Sequence, residues 1–544
     1  MSTVSASPVE PVHVGPTWER GDDDKWFLPE LTLGWDVLGW ASASLRQPDG
    51  PDAGQPWKFT DEQARFVLWW YAIDRQGRFV YRYGMLRRVK GWGKDPVGAT
   101  LCAAEFVGPC RFDGFDARGE PVAKPHPAPW VLVAAVSKDQ TRNTMTLFPG
   151  LFSDDLVAQM NIDLGKEIIY AERGRRRLEA VTSSPRALEG ARGTFTLKNE
   201  TQHWLSTNDG HAMSEVIARN ATKSRDGAAR ALAISNAHNP GEDSDAEHDF
   251  EGWEQIEQGR SKSVGFLYDS LEAPPTLDLS DEAELRGGLI AARGDSHWLD
   301  IDRHVEEVWD PRNPPSLSRR FYLNQIVAAE DAWIAPHEWD ALVSAGELED
   351  GEEITLGFDG SLTDDHSALM ACRVEDGFVF TLGVWDPDQF GGRAPTDLID
   401  GAVRAAHERF HVAAFFSDYH PWESYCDRWG EDFGSGYLVK PTAKHSVAWD
   451  MRSRGKESTA EYERLSSEIV EGAFFHDGNR QVRQHFHNAR RRPNRWGISV
   501  GKEHRESSRK IDAVPATALA RAARYLVVTS NRRRRKRSGK ALFI

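Results

Sequence analysis

A chain of 544 residues with 40% hydrophobic and 28% charged residues and a net charge of −16 exceeds what one core holds at ~150 residues per domain, and predicts two or more domains. The longest apolar runs, such as "FVLWWYAI" at 66–73, fall short of the ~18–20 residues that span a bilayer, and the acidic balance excludes a surface coated throughout with nucleic acid. Cys102, Cys110, Cys372 and Cys426 form no CxxC pair, so neither a structural zinc nor a disulfide framework is expected.

Residues 1–55 are rich in Pro, Gly and Asp and read as an extended N-terminal extension with a short helix within 28–45. No basic segment precedes an apolar one there, so secretion is not expected. From "FTDEQARFVLWWYAID" (59–74) onward, helical stretches alternate with the short apolar strands "RFVYRYGML", "WVLVAAVS", "EIIYAE", "TFTLKNET" and "RALAISNA", closing with "VGFLYDSL" at 264–271. That alternation predicts βαβ units and a mostly parallel sheet over 56–271. Residues 272–345, with prolines and helical patches, read as a linker or small helical subdomain.

A second α/β block is predicted over 346–528. Two antiparallel strands around a turn are expected in "EITLGFDGSLTDDHSALMACRVEDGFVFTLGVW" (353–385), then a helix near 396–409, a strand "VAAFFSD" (412–418) and a late helix "DAVPATALARAARYLVV" (512–528). Residues 529–544 form a basic tail that is either solvated or in contact with nucleic-acid phosphates.

Two constellations carry chemistry. In "YRYGMLRRVKGWGKDPVGATLCAAEF" (81–106) a strand leads through Gly91, Gly93 and Lys94 into a helix, the layout that cradles phosphates on backbone N–H groups and a lysine. Against the pattern GxxxxGK[ST], Arg88 stands at the first glycine position and Asp95 at the hydroxyl position. A second strand, "TFTLKNETQHW" (194–204), ends in Asn199 and Glu200. Glu200 is the candidate to orient water, and Asn199 stands where an acid normally serves the metal. The loop has gained an acid where the strand lacks one, so Asp95 is expected to supply that carboxylate.

The second constellation is three acids in required local settings. Asp359 lies in the first strand of a hairpin sheet, Asp418 ends a later strand, and Asp512 starts the late helix. Such a set suits two-metal phosphodiester cleavage, with oxygen ligands favouring Mg2+ or Mn2+. Asp365 is a lesser candidate, Lys444 and Lys510 are candidates to neutralise a phosphate, and Ser507 or Ser508 to cap the helix or touch one. "RQHFHNARRRPNRWG" (483–497) reads equally as a DNA contact or a solvated helix face.

In this order the motifs resemble the large subunit of the tailed-bacteriophage terminase. "RRVKGWGKDP" is similar to that family's divergent Walker A, "VLVAAVSKDQTRN" (131–143) to its second strand and following helix, "NETQHW" to its Walker B, and "AISNAHNP" (233–240) to its coupling motif; "FDGSLTDDHSAL", "FFSDYHPW" and "RKIDAVPATALA" are similar to its three nuclease motifs. The resemblance implies a P-loop ATPase domain of RecA/ASCE type followed by a ribonuclease H-like nuclease domain. It implies Lys94 and Glu200 as ATPase catalysts, Gln63 at the adenine, Ser235 and Asn236 as γ-phosphate sensors, and Asp359, Asp418 and Asp512 as catalytic metal ligands. A transition-state arginine would be Arg87 or Arg88, or Arg173 or one of Arg175–Arg177.

The family's partners would be double-stranded DNA, a portal protein and a small terminase subunit, with ATP and Mg2+ or Mn2+ as cofactors and no membrane. The setting would be the host cytoplasm, with a homo-oligomeric ring at the procapsid portal vertex, a monomer when free, and absence from the mature virion. Two alternatives remain at this stage: a cellular DNA-repair helicase–nuclease, and a DNA-binding nuclease whose ATPase is dead.

Overall fold

The computed structural model describes residues 9–530 apart from 22–23, 183–184, 225–226, 263–264, 328–331, 503–506 and 508. Ser508 and the basic run 531–540 therefore lie outside the described residues. The chain divides into two compact units, Met1–Val327 and Ala328–Ile544. Among the described residues no helix is long and apolar enough to cross a membrane.

The strands of the first unit are, in chain order, β1 (Val12–Val14), β2 (Tyr83–Arg87), β3 (Pro109–Phe115), β4 (Pro121–Pro125), β5 (Trp130–Ala135) and β6 (Asp163–Leu164). They continue with β7 (Ile168–Ala171), β8 (Arg176–Thr182), β9 (Phe195–Asn199), β10 (Arg230–Ser235) and β11 (Phe266–Glu272). Nine of them make one sheet in the order β1-β11-β2-β10-β9-β5-β8-β7-β6. Its middle, from β11 to β8, is parallel, and antiparallel strands close both edges. β9 and β10 are buried at every position, as strands covered on both faces must be, and this includes the polar side chains of Lys198, Asn199, Arg230 and Ser235. The expected α/β class with a mostly parallel sheet is the observed one.

Two local readings change. The N-terminal extension is not free, because Val12–Val14 pairs with β11, Trp18 is buried and Arg65 Nε donates to the Thr17 carbonyl at 2.7 Å. "ERGRRRLEA" leads into strand β8, and the β3–β4 hairpin stands apart from the main sheet. The stretch read as a linker divides between the units. Helices Glu282–Arg293, Ile301–Trp309 and Pro315–Tyr322 place Leu285, Leu289, Val305 and Leu323 in one core with Leu86, Leu101 and Val133. Trp333, Ile334 and Trp339 belong to the core of the second unit. Apolar helical residues need a partner face, and the first sheet supplies it to the helices before 327.

The second unit carries β12 (Glu353–Asp359), β13 (Ser367–Arg373), β14 (Val379–Trp385), β15 (His411–Ser417) and a separate hairpin, β16 (Arg490–Asn494) and β17 (Gly497–Gly501). The sheet order is β14-β13-β12-β15, antiparallel from β14 to β12 and parallel between β12 and β15. The region 353–385 is thus a three-stranded meander, one strand more than the sequence suggested. Helix Ala513–Thr529 packs against β12. At Gly357 an added Cβ would stand 2.0 Å from the Ala516 carbonyl oxygen, so only glycine permits this approach. Small residues on the helix and Gly357 on the strand together set the position of Asp512 over the sheet.

Candidate active sites

Each unit contains one. In the first, β2 ends at Arg87 and residues 88–93 turn into the helix Lys94–Val107. Gly91 and Gly93 hold the turn at φ 83° and 98°, a region that costs a residue with a Cβ ~1–2 kcal/mol. Pro96 lies in the first helical turn, where an N–H has no intrahelical partner to lose. Lys94 folds back over the loop, and its Nζ donates to the carbonyls of Val89 (3.1 Å) and Arg88 (3.3 Å). Burial pulls its ammonium below the usual lysine range, with Glu200 and Asp95 opposing that shift. A buried cation satisfied by neutral carbonyls, at a helix N-terminus, is suited to an arriving phosphate.

The second strand of this site delivers its polar groups to the same place. Asn199 Nδ2 donates to Asp95 Oδ1 at 2.9 Å and to Thr144 Oγ1 at 2.8 Å, while the Thr144 hydroxyl stands 3.4 Å from that Asp95 oxygen. The acid gained by the loop and the amide ending β9 are therefore in direct contact. Asn199 Oδ1 is buried without a hydrogen-bond partner, an acceptor directed at something the protein does not itself supply. Glu200 follows at φ 53°, a strained conformation for glutamate of the kind that collects at functional sites. Gln202 Nε2 donates to its carboxylate.

From Glu200 a continuous polar chain returns to the loop. Ser235 Oγ lies 2.6 Å from Gln202 Oε1 and 2.7 Å from the Asn236 carbonyl. Asn236 Nδ2 donates at 2.8 Å to the Arg88 carbonyl, the group that Lys94 also reaches. Gln63 is buried, its Oε1 accepts from the Thr60 N–H at 3.2 Å, and its Nε2 lies beside Gly93.

The arginines need correcting. Arg88 ion-pairs with Asp269 and Arg87 with Glu272, both guanidinia fully buried, so in this structure Arg88 faces the site through its carbonyl. Arg176 donates to the carbonyls of Phe106 and His126, and Arg177 pairs with Glu179. Arg173 and Arg175 are exposed. Two contacts that sequence spacing could not signal come from the loop after the helix Glu282–Arg293: Trp298 Nε1 donates to the Gly91 carbonyl at 2.9 Å and Ser296 Oγ to the Trp92 carbonyl at 3.2 Å.

In the second unit, β12 ends at Asp359, Asp418 follows the adjacent parallel strand β15, and Asp512 stands immediately before the helix Ala513–Thr529. The Asp418 N–H donates to the Phe358 carbonyl at 2.9 Å, and Asp418 Oδ1 accepts from the Tyr419 and Met451 N–H groups, both at 2.9 Å. Burial, then the carboxylates of Asp512, Asp418 and Asp365, push Asp359 well above the usual carboxylate range. Burial followed by Asp365 pushes Asp512 up to about 7, and burial raises Asp418. Asp512 Oδ2 is buried with no hydrogen-bond partner. Carboxylates that repel one another, with one Asp512 oxygen left unpartnered, fit a divalent cation.

Asp365, beside this set, is ion-paired with Lys502 and Lys510, which hold its carboxyl below the usual range against the effect of burial. Lys510 thus lies at the cluster, Lys444 is exposed, and Ser507 Oγ accepts from the Arg509 N–H at 3.2 Å. His366 and His485, passed over in sequence, are 3.0 Å apart, and His485 Nδ1 accepts from the Ala513 N–H at 3.0 Å, which anchors the helix beside Asp512. Half of the basic stretch 483–497 proves to be hairpin: Arg490 is buried, whereas Arg491, Arg495 and Trp496 are exposed.

No protein-family model matches the chain. It is 42% identical to the "Gene 13 protein" of Mycobacterium phage L5, over 99% of this chain and 98% of that protein. It is 41% identical to the "Gene 13 protein" of Mycobacterium phage D29, over 97% of each. Among solved structures, the HK97 bacteriophage large terminase aligns at TM-score 0.47 and 15% identity, over 90% of this chain and 99% of that one. The large terminase of a thermophilic bacteriophage aligns at TM-score 0.32 and 10% identity, over 86% and 99%. The large terminase nuclease of thermophilic phage G20c with bound magnesium aligns at TM-score 0.22 and 15% identity, over 36% and 98%.

Proposed function

Because the chain belongs to the same family as the gene 13 proteins of the mycobacteriophages L5 and D29, we propose that it is the large terminase subunit of a tailed phage. It would be an ATP-hydrolysing motor that moves double-stranded DNA into a procapsid, and a metal-dependent endonuclease that cuts concatemeric DNA. The observation that carries the reading is the pairing, in one chain, of a loop lysine sharing a polar network with Glu200 and a separate buried set of three raised carboxylates.

In the motor, Lys94 would exchange the Arg88 and Val89 carbonyls for phosphate oxygens. Glu200, held by Gln202, would orient water for attack. Asp95 and Asn199 would share the metal side of the site, with Asn199 Oδ1 left for its shell. Ser235 and Asn236 connect Glu200 to the loop, so a change at the phosphate is felt along β10. In the nuclease, Asp359, Asp418 and Asp512 would hold Mg2+ or Mn2+, and Lys502 and Lys510 would offset phosphate charge. Bound divalent ions would supply the activation of water and the neutralisation of developing charge.

The partners that follow are double-stranded DNA, a portal protein and a small terminase subunit, with a ring at the portal vertex in the host cytoplasm. The contact between Asp95 and Asn199 supports a working ATPase over a dead one, since it would let Asp95 supply the carboxylate that Asn199 lacks. A Mg2+-dependent ATPase assay with and without DNA and portal protein tests the reading. Turnover stimulated by both supports it, and no turnover under any condition overturns it.

A further inference from the structure

Outside both sites, three side chains distant in sequence meet in the first unit. His211 lies on the helix Gly210–Ala221, His248 on the helix Asp245–Glu257, and Asp243 in the loop that follows β10. One nitrogen or oxygen from each lies within 4.8 Å of the others. We propose that His211, Asp243 and His248 bind a borderline transition-metal ion of the Zn2+ type, clamping both helices to the loop beyond β10.

The hydrogen bonding favours a cation at this point. His211 Nε2 is 2.6 Å from the Asp243 carbonyl oxygen, so that nitrogen carries the proton and donates, by the logic that fixes ligating histidines elsewhere. The other nitrogen, Nδ1, then turns its lone pair toward Asp243 Oδ2, 4.0 Å away. Asp243 Oδ1 is 2.5 Å from His248 Nε2, and the two imidazole centroids are 4.8 Å apart. A proton or a metal ion between that lone pair and the carboxylate would relieve their contact; for a metal, His248 Nε2 gives up its proton and its bond to Asp243 Oδ1, and metal bonds of ~2.0–2.2 Å follow from a small side-chain rotation.

The loop is built to aim the carboxylate. Asp243 sits at φ 56°, and its N–H and that of Gly241 donate to the Glu247 carboxylate at 2.7 and 2.6 Å. The side chains remain 22%, 36% and 30% exposed for His211, Asp243 and His248, which gives an ion an entry path and leaves a position for water. Two imidazoles with one carboxylate suit Zn2+, Co2+ or Ni2+ rather than Mg2+, so the ions serving catalysis would not compete. The expectation of no zinc rested on cysteine spacing, and ligands gathered from two helices and a loop carry no such signature. This inference does not depend on the ATPase or nuclease reading.

The test uses the full-length chain carrying Asp359→Asn and Asp512→Asn, so that the acid cluster holds no zinc of its own. After stripping with a chelator and dialysis against limiting Zn2+ in excess Mg2+, elemental analysis should find one zinc ion per chain. That ion should be absent when His211→Gln and His248→Gln are added. Zn2+ should raise the unfolding temperature of the first protein and leave the second unchanged. Equal zinc in both overturns the proposal and leaves a plain hydrogen-bonded triad. Co2+ supplies a readout that needs no histidine variant: strong visible bands of a four- or five-coordinate nitrogen site support the proposal, and only the weak absorption of the hydrated ion overturns it.

Discussion

The two candidate sites handle charge in opposite ways. At the phosphate loop most of the named charges and amides already have an internal partner, the Asn199 Oδ1 acceptor being the exception. Lys94 rests on two carbonyls, Asp95 on Asn199, and Asn236 on the Arg88 carbonyl. At the acid cluster the charges are left against one another, so that Asp359 and Asp512 are pushed up and Asp512 keeps an unpartnered oxygen. The first arrangement keeps its geometry with no ligand bound and exchanges partners when one arrives. The second would be completed by cations, since buried carboxylates set against one another call for positive charge.

The sharpest way to break this comparison is to disable each site and read the other. Glu200→Gln should lower ATP turnover ~10³-fold, within the range of a lost general base, and leave Mn2+-dependent cleavage of plasmid DNA unchanged. Asp359→Asn should reduce cleavage by a similar ~10³-fold and spare the ATPase. Loss of both activities in either variant would mean that the sites are not independent. Next in size is the exchange at the loop. Asp95→Asn should cost ~10²-fold in Mg2+-dependent turnover, and adding Asn199→Asp should recover at least ~10-fold of it, a coupling of ~1–3 kcal/mol. A double variant no better than the single would remove Asp95 from metal duty.

How much of this was legible in the sequence depends on how each feature is encoded. The cores of strands β5, β10 and β15 are buried apolar runs bounded by polar residues, and such runs state their own boundaries. Asp359, Asp418 and Asp512 were legible because each ends or begins an element, where an acid among apolar residues stands out. Arg87 and Arg88 misled, since nothing local in "LRRVK" shows that Asp269 and Glu272, on β11, take both guanidinia. Trp298, Ser296, Thr144 and His485 reach their sites from distant segments and leave no periodic trace. The helices of 282–322 were visible as helices, but the core that receives them was not, because a linker and a packed layer share the same composition.

A smaller test is whether the loop region is free of unrelieved charge throughout. It is not: Glu62, one residue before Gln63, faces Asp295, each accepting a hydrogen bond from the other's backbone N–H at 3.0 and 2.9 Å. Burial, with Asp295 adding to it and Arg88 opposing, raises Glu62 to about 7 from its ordinary 4.5. The protonated form is therefore favoured in the folded protein. That stability is fully present below pH ~4.5 and is lost as pH rises through ~7. Between pH 5 and pH 8 the wild type should lose ~2 kcal/mol relative to Glu62→Gln, whose amide does not titrate over that range. Denaturant unfolding of the two proteins across the range measures the difference. Parallel curves would show that Glu62 ionises normally, and that the acid cluster of the second unit is where unrelieved charge is concentrated.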